Sequence, residues 1–167
     1  MTAKWSTIDT IFGPFTVVVD SQGAVLASGW TAAADELLAL IAESLRPHEI
    51  RKAADLGEVS RAVHRYHDGE LDATAEVPVA QRSGPFREHA WRVLREIPAG
   101  KTVSYRDYAA LIGRPEAVRA AATACSHNAA GLFVPCHRVL RGDGSLGGFR
   151  WGLELKRQLL DHEGGQR

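Results

Sequence analysis

Only two of the 167 residues are cysteine, Cys125 and Cys136, and only one is methionine. Two thiols so close in sequence build neither a disulfide framework nor a thiolate-rich zinc site, and a reducing, cytoplasmic setting is the expectation. Long apolar runs are missing too. The longest, Phe15 to Val19 and Ala129 to Pro135, fall far short of the ~20 residues of a membrane-spanning helix. The opening MTAKWSTIDT has a lysine but no apolar stretch behind it, which argues against a signal peptide. Net charge is absent as well, with 20 Lys+Arg against 20 Asp+Glu. What remains is an ordinary globular composition, 45% hydrophobic, which at this length can bury about 70% of its extended surface and leave roughly 8,000 Å² exposed.

The zero net charge hides a division. Residues 1–81 carry 6 basic and 12 acidic side chains, whereas residues 82–167 carry 14 and 8, so the halves stand at −6 and +6. An arginine-dominated basic half suits a polyanionic partner, because the guanidinium offers paired donors to phosphates and base edges. Segregation by chance on solvated faces is the plain alternative.

From Lys4 to Trp30 the pattern is apolar and β-branched, broken at Gly13-Pro14 and Asp20-Ser21-Gln22-Gly23, which predicts an antiparallel meander of two or three strands. Ala32 to Ser44 spaces Leu37, Leu40 and Ile41 as a helix does, and Asp55 to Tyr66 predicts a second helix ending at His67-Asp68-Gly69. Glu76 to Gly84 carries Pro, Gly and the change of charge sign. The expected organisation is therefore an α/β domain over 1–80, an antiparallel sheet with helices, followed by a mostly α domain over 81–167.

In that second part Pro85 to Ile97 places Phe86, Ala90, Trp91, Leu94 and Ile97 on one helical face. Ser104 with Asp107 three residues on predicts a capped helix running to Gly113, and Pro115 with Glu116 predicts the start of the next, to about Ser126. Helix, tight glycine turn and helix make a helix-turn-helix, although helical hairpins that serve packing alone have the same pattern. The second helix is rich in alanine, at positions 117, 120, 121, 122 and 124, with Arg119 its one long cationic side chain. So slim a helix fits the ~6 Å minor groove with an arginine as wedge, or it merely packs closely on its neighbour.

Pro135-Cys136-His137 puts a thiol next to an imidazole. A neighbouring base activates a thiol directly or through water, and Pro135 fixes the backbone before it. Taken alone, the pair also suits a small buried hydrophobe beside a structural histidine. Cys125 is read as packing. His48, His64, His67, His89, His127 and His162 are read mostly as surface or helix-end residues.

Pro135-Cys136-His137-Arg138-Val139, preceded by Asn128 and followed by Gly142-Asp143-Gly144 and Gly147-Gly148-Phe149, resembles the active-site signature of the O6-alkylguanine-DNA alkyltransferases, which are single-use DNA repair proteins. The similarity runs from Phe86 through Val103-Ser104-Tyr105 and Ala117-Val118-Arg119-Ala120 to Leu159-Leu160-Asp161-His162-Glu163-Gly164, about half the chain. The first half resembles the family only loosely, through Ile8-Asp9 and Gly13-Pro14.

The resemblance implies direct-reversal repair. An alkyl group moves irreversibly from O6-alkylguanine, and from O4-alkylthymine, in flipped-out duplex DNA to Cys136, once per molecule. His137 would activate the thiol through a water, Glu163 would orient the imidazole, and Asn128 would brace the turn. Arg119 would fill the gap left by the flipped base. Tyr105, Arg106, Ala117 and Ala120 would meet DNA in the minor groove. Tyr105, Val139, Phe149 and Arg150 would line the pocket, with the carbonyls of Cys136 and Val139 reading the guanine amine. No cofactor and no metal is implied, and with no cysteine before Cys125 the N-terminal Cys and His zinc site of some relatives cannot be built here in its known form. The partner is double-stranded DNA bound by a monomer able to cluster along it, and no membrane is involved.

Phe149 stands where many relatives have tyrosine. Phe-Arg-Trp-Gly resembles bacterial members, including the C-terminal domain of the adaptive-response regulator, and implies a pocket too narrow for benzyl-sized adducts. Competing classes are a lesion sensor without transfer, whose members replace the cysteine, a DNA-binding regulator, and a thiol hydrolase with repeated turnovers.

Overall fold

Along Thr2–Thr10, strand β1, Ala3, Ser6 and Ile8 are buried while Thr2, Lys4 and Asp9 are exposed. β2, Gly13–Val19, pairs with it antiparallel, and β3, Val25–Gly29, pairs antiparallel with β2. The predicted meander is therefore present. Its turns form as the sequence suggests: Gly13 and Gly23 take φ of +99° and +84°, and the Asp20 carboxylate accepts from the amides of Gln22 and Ala24 at 2.8 and 2.9 Å. The computed structural model describes residues 1–164 and divides them into two units, Met1–Ser83 with Ala129–Phe133, and Gly84–Asn128 with Val134 onward. The whole chain exposes 8413 Å².

In the first unit a fourth strand, β4 (Glu49–Lys52), lies parallel to β1, giving the order β3-β2-β1-β4. The helix expected over 32–44 is shorter. α1 spans Ala34–Leu38 and the chain then tightens into turns closed three residues back, Leu40 to Leu37 and Ile41 to Leu38, before a 3₁₀ turn at Glu43–Leu45. Arg46 donates through Nη2 to the Ile41 carbonyl at 2.8 Å, occupying the acceptor that a continuing helix would offer to Leu45. Leu37 and Ile41 still reach the core. α2 runs Glu58–His67.

Phe15, Val17, Val18, Leu26, Val63, Tyr66 and Phe133 are almost wholly buried. His67 closes α2, as expected of a helix-end residue, but it is buried rather than solvated. The Trp30 indole donates to its Nε2 at 3.4 Å, so Nδ1 bears the hydrogen and donates to Val63 O at 2.7 Å. The outer edge of β3 is covered by two stretches of chain. Val25 bridges to Val79, and Ser28 bridges to Ala130 while its hydroxyl donates to Gly131 O at 2.7 Å.

The second unit starts with α3, Pro85–Leu94, followed by turns to Ile97 rather than by further α-helix. Ala90, Trp91, Leu94 and Ile97 are buried as the periodicity predicts, and Trp91 Nε1 donates to Ala124 O at 2.8 Å. α4, Tyr105–Ile112, is capped by the Ser104 hydroxyl accepting from Asp107 N at 2.9 Å and ends at Gly113 with φ +96°. α5 spans Val118–Ser126 and does not begin at Pro115. Pro115 and Glu116 instead form the corner of a turn closed by Ala117 N to Arg114 O at 2.8 Å, and Arg114 pairs with Glu116. β5 (Val103–Ser104) and β6 (Val139–Leu140) pair in parallel, and α6 runs Leu153–His162. Among the described residues no helix is long and apolar enough to cross a membrane.

Candidate active site

The pairing of Val103 with Val139 and Ser104 with Leu140 sets the start of α4 beside the segment that follows the Cys-His pair. Cys136–Arg138 form one 3₁₀ turn after Pro135, closed by Arg138 N to Pro135 O at 3.1 Å. In so tight a turn consecutive side chains diverge, and the thiol and imidazole take separate partners.

Asn128 supplies the thiol's partner. Its Nδ2 donates to Cys136 Sγ at 3.3 Å and to Val134 O at 2.8 Å. Burial pushes the thiol above its ordinary range, while the Asn128 bond and the charges of Lys156 and Arg150 oppose that rise. Cys136 is therefore a thiol in a cationic field.

His137 is fully buried, and its Nε2 lies 2.8 Å from Glu163 Oε2. The same carboxylate receives Arg138 through Nε at 2.9 Å on Oε1 and Nη2 at 3.0 Å on Oε2, while Arg138 Nη1 donates to Ile97 O at 2.7 Å. Burial alone would raise Glu163, but His137 and Arg138 hold it well below the usual carboxylate range. Burial lowers His137, against the pull of Glu163. The imidazole is accordingly neutral with its hydrogen on Nε2, and its Nδ1 is a buried atom without a hydrogen-bond partner. A lone pair is thus available one residue from the thiol.

Tyr105 is half-buried, and burial pushes its hydroxyl up to about 12, so it stays protonated. Its ring lies against Gly147. A Cβ there would stand 3.1 Å from Tyr105 Cε2 and from its hydroxyl, and φ is +72°, so both space and backbone require glycine. Val139 is buried, and the Phe149 ring centroid lies 6.5 Å from that of His137 in an edge-on arrangement. Arg150, expected in the pocket, directs its guanidinium to the carbonyls of Asn128 and Ser126.

On the helix-turn-helix, Arg106, Arg119 and Ala120 are exposed and Ala117 is half-buried. Ala121 and Ala124 are buried. The packing reading of the alanines therefore holds for the face of α5 that carries Ala121 and Ala124.

Three site residues were missed. Arg138 was visible only as part of the Cys-His motif. Gly147 stood in a glycine pair without an assigned part. Lys156 is fully buried, and its Nζ donates to the carbonyls of Val139 (2.8 Å), Leu146 (2.5 Å) and Gly148 (3.2 Å). Burial brings it down to about 8. The signal was a lysine on the apolar stripe of Leu155, Leu159 and Leu160.

A mixed-sheet unit followed by a helix-turn-helix unit that carries a half-buried thiol and a buried imidazole and carboxylate defines a narrow class. Residues 85–165 match the family described as 6-O-methylguanine DNA methyltransferase, DNA binding domain. The chain is 33% identical to a methylated-DNA–protein-cysteine methyltransferase of Shigella flexneri, over 94% of this chain and 93% of that one. It is 49% identical over 94 residues to the bifunctional transcriptional activator/DNA repair enzyme Ada of Escherichia coli, but spans only 27% of that protein's length. The crystal structure of Mycobacterium tuberculosis OGT in complex with DNA superposes with a TM-score of 0.80 at 30% identity, covering 96% of this chain and 92% of that one. The chain belongs to the methylated-DNA–protein-cysteine methyltransferase family.

Proposed function

We propose that the chain repairs alkylated DNA by taking the alkyl group of O6-alkylguanine, and of O4-alkylthymine, onto Cys136, once per molecule. The observation that carries this reading is the His137 imidazole, anchored through Nε2 on Glu163, with Nδ1 unpartnered on the residue next in sequence to the thiol. A water between Sγ and Nδ1 would pass the thiol proton to His137 as sulfur attacks the alkyl carbon. The sulfur–carbon bond forms as the carbon–O6 bond breaks, and that electron pair leaves with guanine, which takes a proton through the Tyr105 hydroxyl. Glu163, ionised beside Arg138, offsets the imidazolium. A thioether does not hydrolyse, which makes the transfer stoichiometric.

Reaching the thiol requires the nucleotide to leave the stack, at a cost of a few kcal/mol. Exposed Arg119 on a helix whose outer face is alanine suits insertion from the minor groove, with Arg106, Ala117, Ala120 and Tyr105 along the strand. Val139 and Phe149 line the base pocket, and the carbonyls of Cys136 and Val139 read the exocyclic amine. The protein acts as a monomer in the cytoplasm, able to cluster on DNA. Trp151 narrows the pocket, so free O6-benzylguanine at micromolar concentration leaves the protein active.

The test is intact mass after incubation with excess duplex holding one O6-methylguanine, followed by peptide mapping. Gain of one methylene at Cys136, never more than one, supports transfer. Tight lesion binding with unchanged mass would identify a sensor, and alkyl groups released beyond one per chain would identify a hydrolase.

A further inference from the structure

Arg150 has no part in the reaction so far. Its guanidinium is forked between two acceptors, Nη1 on Asn128 O at 2.7 Å and Nη2 on Ser126 O at 2.5 Å. Ser126 is the last residue of α5, and its carbonyl belongs to the open C-terminal end of that helix, where a cation is favoured. Asn128 is the residue whose side chain bonds both Val134 O and Cys136 Sγ. The other end of α5 presents Arg119 and Ala120 to solvent. One side chain thus ties the helix that offers itself to DNA to the residue that bonds the thiol.

We infer that Arg150 is a positioning residue, which makes α5 and Asn128 one piece so that the seating of α5 on a duplex is transmitted to Cys136 Sγ. The inference rests on the alkyl-transfer reading and goes beyond it, since pocket lining gives Arg150 no reason to grip the end of α5. Planarity matters here. Two carbonyls on either side of one turn are met by a guanidinium fork, whereas an ammonium reaches one of them well. The positive charge also favours ionisation of the thiol, an effect that Arg150→Lys retains and Arg150→Ala removes.

The experiment compares single-turnover methyl transfer by the full chain and by Arg150→Ala and Arg150→Lys. Two donors are used, a duplex with one O6-methylguanine at saturating concentration and the free base O6-methylguanine. Coupling through the fork predicts that in both variants the duplex rate falls about tenfold further than the free-base rate, with Arg150→Ala also slowing both donors through the lost charge, so the ratio of the two rates falls. A merely structural role would lower both rates in proportion. That result, an unchanged ratio, a loss seen only as weaker duplex binding, or full recovery of the ratio in Arg150→Lys overturns the inference. Unmodified protein that methylates Cys136 from neither donor overturns the alkyl-transfer reading and this inference with it. Unmodified protein that transfers while the variants keep its ratio overturns this inference alone.

Discussion

The two units bury different kinds of polar group. Within the first, the described buried polar residues are Ser6, Thr16, Ser28, Ser60, Thr74 and His67, hydroxyls and one imidazole. Within the second they are Asn128, His137, Arg138, Lys156 and Glu163, three of them ionic. A buried ion costs several kcal/mol in lost hydration, and its partners return that only when every lone pair and proton is met. The second unit comes close to meeting them all: Lys156 spends its ammonium on three carbonyls, and Arg138 closes both oxygens of Glu163. Among these five residues, His137 Nδ1 is left without a partner. The first unit is built for stability, and the second accepts electrostatic expense around a single free lone pair.

If that contrast is real, damage in the second unit should disturb chemistry and pH response, and damage in the first should disturb stability alone. Glu163→Gln is the severest case. It leaves Arg138 without its counter-ion and His137 without an anionic partner, so transfer should fall about 100-fold and unfolding free energy by about 3 kcal/mol, read from single-turnover rates and urea midpoints. The sign with pH follows from the depressed Glu163. Its stabilising contribution is complete above the unfolded value of about 4.3 and is lost as pH falls through the lower folded value, so the gap between the two proteins should close towards pH 2.

Phe15→Ala tests the other side. Phe15 packs edge-on against Trp30 at 4.9 Å and near Phe133 at 6.3 Å, and its loss should cost about 3–4 kcal/mol in urea while the rate per folded molecule stays the same. A fall in that rate would break the contrast. Lys156→Met should cost about 2 kcal/mol, because three carbonyls lose a donor. It should also slow iodoacetamide labelling of Cys136. In the unmodified protein Lys156 loses its proton near pH 8, so the labelling advantage over Lys156→Met should be present at pH 7 and fade above pH 8. The mildest change is Phe149→Tyr, which restores a hydroxyl at the pocket wall and should alter the transfer rate by less than about threefold.

What could be read in advance follows the same physics. β1 to β3, α3 and the Ser104 cap were legible, since alternation, helical spacing and capping chemistry act over a few residues. β4 was not, because Glu49–Lys52 has one apolar residue and forms only through its register with β1. The break after α1 depends on Arg46 reaching back to Ile41 O, and the late start of α5 on a turn around Pro115 that resembles a helix start in sequence. At the site, the resemblance pointed to Cys136, His137, Glu163 and Asn128, and the structure pairs Asn128 with Cys136 and Glu163 with His137. Lys156 and Arg138 escaped because their partners are mostly backbone carbonyls and a distant carboxylate, which no local pattern reveals.

The route of the chain bears on how the molecule can be divided. The second unit is entered at Gly84, left after Asn128 for five residues that belong with the sheet, and entered again at Val134. No single cut yields two whole halves. Severed at residue 84, the C-terminal piece would carry off the segment whose Ala130 bridges to Ser28, and with it Leu132, held at φ +80°. An insertion between Asn128 and Cys136 would therefore fall where the chain leaves one unit for the other and returns, and so bears on both.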